Sequence, residues 1–152
     1  GDTLKLGGRV FSVLTGDGHA PEQVMLYCAE EKLFLAADQV LAKISPNVSV
    51  WAVDPDGDPL GLYLRSLKAL RSKLDADALV LPGHQLPFLG LHTRIDELIE
   101  HHRRRCAAIG ERVRTAGSDP LTTPRPEGRG FRSSRAGVPV SRPIAPGRSR
   151  GV

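Results

Sequence analysis

Apolar and polar residues fall into short blocks over the first third of the chain, and the blocks predict two hairpins. Thr3-Leu4-Lys5-Leu6 and residues 9–14 flank Gly7-Gly8, a two-residue turn signal. Residues 24–29 and 32–37 flank Glu30-Glu31, and both runs are mostly apolar rather than alternating, as expected for strands covered on both faces. From Val40 to Gly57 the periodicity stops; a segment of that length either serves a site or lacks order. Asp58-Pro59 then opens a helix with a capping side chain and a proline at the first helical position. Leu60, Tyr63, Leu64, Leu67, Leu70 and Leu74 recur at helical spacing, with Arg65, Lys68, Arg71 and Lys73 on the other face. Residues 78–81 predict one more strand. A second helix over residues 93–114 carries the stripe Ile95, Leu98, Ile99, His102, Cys106, Ile109 and Val113, in which His102 reads as a core or interface histidine.

Beyond Ala116 the pattern ends. Arginine, proline, glycine and serine dominate residues 116–152, Phe131 is the one aromatic, and such a segment cannot bury enough apolar surface to offset its ordering entropy. The sequence therefore divides into a folded unit, 1–115, and a disordered tail, 116–152, whose bias resembles GC-rich DNA translated in another frame. Charge divides at the same place. Up to Thr115 there are 14 Lys and Arg against 15 Asp and Glu, whereas the tail sets seven arginines against Asp119 and Glu127. The formal net charge of +4 thus belongs to the tail and implies no nucleic-acid affinity in the folded part. Arginines scattered among prolines without stacking aromatics are weak support for a nucleic-acid partner. No run is long and apolar enough to cross a bilayer, so no membrane partner is expected. Cys28 and Cys106, without metal-type spacing, read as buried free thiols and place the chain in a reducing, cytoplasmic compartment.

Three apolar runs end in a residue able to bind a metal. Residues 10–14 lead into Gly16-Asp17-Gly18-His19, residues 32–37 run into Asp38, and residues 78–81 run into Pro82-Gly83-His84. If those strands lie side by side and point the same way, His19, Asp38 and His84 meet at one edge of a sheet. Two imidazoles and a carboxylate suit zinc or a similar divalent ion. Capping a turn is the competing reading for His19, and turn chemistry explains Asp17 equally well.

Gly18-His19-Ala20-Pro21, Ala37-Asp38-Gln39-Val40-Leu41 and Leu81-Pro82-Gly83-His84 together resemble the later motifs of the metallo-β-lactamase superfamily of hydrolases, in its glyoxalase II-like flavour. The resemblance covers about residues 1–114. It implies an α+β fold, half of the αβ/βα sandwich, with a mainly antiparallel sheet and two helices. It also implies two zinc ions in a complete site, with His19 on one metal, Asp38 bridging, and His84 on the other. Metal-activated water would attack a thioester, a lactone or lactam, or a phosphodiester. Gln23 stands where the family usually has a second histidine, and Ala37 where glycine is usual. Trp51, in the segment that borders substrate in the family, is a pocket wall or a lid over the core, and His92 is a candidate for an outer-shell or substrate contact. The family's His-x-His-x-Asp-His run does not occur in the chain. The expectation is thus the second half of a catalytic domain, inactive as it stands, binding zinc weakly and open to self-association. A non-catalytic remnant, or a binding module whose basic tail engages an acidic partner, is the alternative.

Overall fold

A computed structural model describes residues 1–117, so the disorder expected for the tail lies almost wholly outside the described residues. The elements run β1 (Thr3–Leu6), β2 (Arg9–Gly16), β3 (Gln23–Cys28), β4 (Leu33–Ala37), α1 (Pro59–Lys73), β5 (Leu79–Pro82) and α2 (Leu91–Gly117). Both hairpins form where the turn signals fall. Gly7 and Gly8 adopt φ values of 55° and 82°, the left-handed region that only glycine enters without strain. The five strands make one sheet in the order β1-β2-β3-β4-β5, antiparallel except for the β4–β5 pair. This is the expected α+β arrangement, a mainly antiparallel sheet with two helices. β2, β4 and β5 therefore point the same way, with β3 running against them between β2 and β4.

Alternation in the strands decides which residues meet the helices. Tyr27, Phe34 and Val80 stand in register across three strands, and with Met25 and Ala36 they pack against Tyr63, Leu67 and Leu70 of α1 and Leu91, Ile95 and Leu98 of α2. The opposite face carries Val24, Leu26, Leu33, Leu35, Leu79 and Leu81, half-buried or exposed, with Val24 reaching 57%. The apolar runs of β3 and β4 thus have one face covered by helices. The expectation of cover on both faces is not met among the described residues, because α1 and α2 stack on the same side.

Asp58 caps α1, its carboxylate accepting from Gly61 N at 2.8 Å. α2 starts two residues earlier than its stripe suggests and runs past the sheet. Its stripe is buried at Ile95, Leu98 and His102 and half-buried at Ile99, but Cys106, Ile109 and Val113 are exposed. The reading of Cys106 as a buried thiol is accordingly corrected: α1 is 15 residues long against 27 for α2, so the longer helix outruns its partner. Cys28 is buried and unpaired, as expected. Among the described residues no helix is long and apolar enough to cross a membrane.

Candidate metal centre

The C-terminal ends of β2, β4 and β5 deliver His19, Asp38 and His84 to one edge of the sheet, although β3 separates the first two strands. Each turn is shaped by its backbone. Gly18 has φ 104° and passes so close to α1 that a Cβ there would lie 2.4 Å from the Tyr63 Cβ and 2.6 Å from the Pro59 carbonyl. Ala37 sits at φ 46° with its carbonyl accepting from Gly83 N at 2.7 Å, which locks the Asp38 turn to the His84 turn. A Cβ on Gly83 would meet Asp38 Oδ1 at 2.5 Å, so glycine is required for this approach.

Three further side chains, Tyr63, Gln39 and Ser66, hold the turns from below. Tyr63, fully buried, donates its hydroxyl to the Gln39 carbonyl at 3.1 Å, and burial raises its pKa well above the usual phenol value. Gln39, also fully buried, donates Nε2 to the Asp17 carbonyl at 3.1 Å, and Ser66 Oγ accepts from Asp17 N at 2.9 Å. The Asp17 carboxylate accepts from Glu22 N at 2.9 Å, closing the His19 loop on itself. Helix α1 therefore fixes the loop bearing His19 and the turn bearing Asp38 relative to one another.

His19 donates Nδ1–H to the Asn47 carbonyl at 2.8 Å. A carbonyl can only accept, so the proton is on Nδ1 and, in the neutral ring, Nε2 keeps its lone pair. That lone pair lies 3.6 Å from Asp38 Oδ2, an acceptor facing an acceptor. Only a proton or a cation between them relieves the opposition. Two donors each about 2.0–2.2 Å from one ion stand roughly 3–4 Å apart, so His19 and Asp38 fit a shared divalent metal. Orientation of a ligating imidazole through its other nitrogen is the usual device at such sites. His84 is placed differently. Its side chain is 70% exposed, and its Nδ1–H donates to Asp38 Oδ1 at 2.7 Å, a hydrogen bond rather than shared ligation. As they stand, the described residues contain no group of three or more His, Cys, Asp or Glu side chains arranged to hold a metal ion. The donor set is thus a fitted pair with a third member beside it.

The remaining candidates divide. Trp51 is 59% exposed and lines a cavity of about 260 Å³ together with Asp17, Pro21 and Leu62, next to the His19 loop. Gln23 opens β3 opposite Gly16, its Oε1 buried without a partner. His92 is not brought to this group; its Nε2–H donates to the Leu74 carbonyl at 2.9 Å and joins the start of α2 to the end of α1. Asn47 and Tyr63 carry no metal-binding signal in the sequence, since one acts through its backbone and the other looks like any member of an apolar stripe.

No family model matches the chain. It is 34% identical over 98 residues to the probable metallo-hydrolase YqjP of Bacillus subtilis, an alignment spanning 62% of this chain and 30% of that protein. Among solved structures it superposes on a β-lactamase domain protein from Burkholderia ambifaria with a TM-score of 0.66 and 44% identity, covering 69% of this chain and 32% of that one. A metallo-β-lactamase family protein from Thermus thermophilus gives 0.65 and 38%, covering 71% and 35%. The chain thus spans about a third of the length of these relatives.

Proposed function

We propose, for a chain with the fold of part of a metallo-β-lactamase domain and with similarity to proteins of that superfamily, that it supplies the His19–Asp38–His84 side of a metal-dependent hydrolase centre. The observation that supports this most directly is the His19 ring, tied by Nδ1 to the Asn47 carbonyl with Nε2 turned to Asp38. Bound there, a divalent metal such as zinc supplies Lewis acidity and a nucleophile at neutral pH. His19 and Asp38 would hold it, and His84, freed from Asp38 by a turn of its exposed ring, would join them. Asp38 brings the negative charge that offsets the cation. The Tyr63–Gln39–Asp17 chain keeps the two turns in register.

The substrates proposed are small esters in the wide sense: thioesters, lactones or lactams, and phosphodiesters. A reducing, cytoplasmic setting is supported by the free thiol of Cys28, buried in the sheet. On three donors of which only two face one point, the chain alone is proposed to bind zinc weakly and to turn over no substrate. Zinc titration of the full chain by calorimetry tests this. Expected is less than one tightly held ion per chain, with the residual binding lost in His19→Ala and Asp38→Ala. Two tightly held ions, or binding indifferent to both substitutions, would overturn the reading.

A further inference from the structure

A second concavity, of about 510 Å³, lies between α2 and the irregular segment after β4, with Ser45, Asn47, Leu60, His102, Arg105 and Cys106 in its walls. Among the described residues no acidic one lines it. Arg103 and Arg104 both pair with Glu100 at 2.7 Å, but among the described residues Arg105 has no ion-pair or hydrogen-bond partner. His102 stands one turn earlier on α2, only 8% exposed, edge-on to Tyr63 with ring centroids 5.6 Å apart. Its Nε2 is buried with no hydrogen-bond partner among the described residues. Burial first, then His101 and Arg105, lower its pKa, so the ring is neutral near pH 7. A buried ring nitrogen left unsatisfied is costly, and beside it the wall carries a guanidinium whose charge nothing among the described residues answers.

We propose that this concavity binds a small molecule bearing an anionic group, a phosphate or a carboxylate, on an apolar body. The guanidinium of Arg105 offers the paired donors that match either anion. The Ser45 hydroxyl and the Asn47 amide can add donors, and Leu60 and Ile109 offer the apolar wall. Asn47 belongs to both places: it lines this concavity, and its carbonyl orients His19. A molecule anchored here by its anionic end lies one residue away from the candidate metal centre. Naming it a substrate rests on the hydrolase reading; its binding does not.

The test uses the full chain without added metal, and phenyl phosphate as the probe. Cys106 is exposed in the cavity wall and Cys28 is buried, so a thiol reagent labels Cys106 selectively and reports occupancy. Phenyl phosphate should slow that labelling saturably, and benzyl alcohol at the same concentration should not. Benzoate serves as the carboxylate arm and ranks the two anions. Arg105→Gln, at an exposed position whose side chain has no partner among the described residues, should weaken protection at least tenfold, and Arg105→Lys should recover part of it. Absence of protection, equal protection by benzyl alcohol, or full protection in Arg105→Gln would each overturn the proposal. Asp38→Ala should leave protection intact while removing zinc binding. A failure of the metal reading is thereby told apart from a failure of this one.

Discussion

The two faces of the sheet come from the same strands and are both apolar, yet their burial differs sharply. On the helix side Met25, Phe34, Ala36 and Val80 are at most 1% exposed. On the other side their sequence neighbours Val24 and Leu79 reach 57% and 39%. Successive side chains point to opposite faces of a strand, so neighbours one residue apart have different fates. The covered face also does more than fill a core. Tyr63 and Ser66, on the helix that covers it, reach the turns carrying Asp38 and His19, so packing there sets the candidate centre. The open face touches that centre only at its margin, where Ala37 and Gly83 line the end of its concavity. It presents a shallow concavity lined by Val24, Leu26, Leu35 and Leu81, a contiguous apolar surface of the kind that marks an interaction site.

The sharpest separation should come from truncating neighbours. Phe34→Ala, in the helix-facing core, is expected to cost about 3–5 kcal/mol, and Leu35→Ala, half-buried on the open face, roughly 1 kcal/mol. Urea midpoints of the two variants check this, and equal losses would mean that something covers the open face in solution. Next in size is association. The open face should drive self-association of the chain, and Val24→Lys should raise the dissociation constant about tenfold, which is about 1.4 kcal/mol. Sedimentation equilibrium reads this directly; a wild-type monomer at all concentrations would refute it.

Tyr63→Phe removes only the hydroxyl that holds the Gln39 carbonyl. A loss of about 1 kcal/mol is expected from the unpaired carbonyl. Zinc affinity should drop by roughly tenfold if Tyr63 positions the Asp38 turn. Hydrogen exchange at Asp17 and Gln39 would rise with it, and unchanged exchange and affinity would reduce Tyr63 to a packing residue. The smallest effect belongs to Ala37, at the irregularity between β4 and β5 with φ 46°. Left-handed geometry costs a non-glycine residue about 1 kcal/mol, part of which glycine gives back through its freer unfolded chain. Ala37→Gly should therefore stabilise the chain by a few tenths of that, seen as a small upward shift in melting temperature. A clear loss would show that the Ala37 methyl makes a contact worth more than its strain.

The hairpins, the first helix and its cap were legible because each has a local cause: paired glycines, the Glu30-Glu31 break between two apolar runs, and Asp58 ahead of Pro59. The length of β3 and β4 was legible too, but not their cover, because a run apolar on both faces says nothing about which neighbours arrive. The second helix was foreseen, yet the exposure of Cys106, Ile109 and Val113 was not. Their spacing matches the buried half of the stripe, and only the shorter reach of α1 leaves them bare.

The same division holds at the site. His19, Asp38 and His84 could be named from sequence because a histidine or aspartate ending an apolar run carries its chemistry in its own side chain. What the sequence determined was the identity of those donors and their place at strand ends. Tertiary structure alone decided that β3 runs between β2 and β4 while the turns still meet, and that His19 is oriented by a backbone carbonyl of a segment without periodicity. It also decided that His84 donates to Asp38 instead of standing apart. A backbone carbonyl has no residue type to read, and a hydrogen bond between residues 46 positions apart leaves no trace in local pattern. Composition and periodicity record what a segment can do; only the folded chain records what it faces.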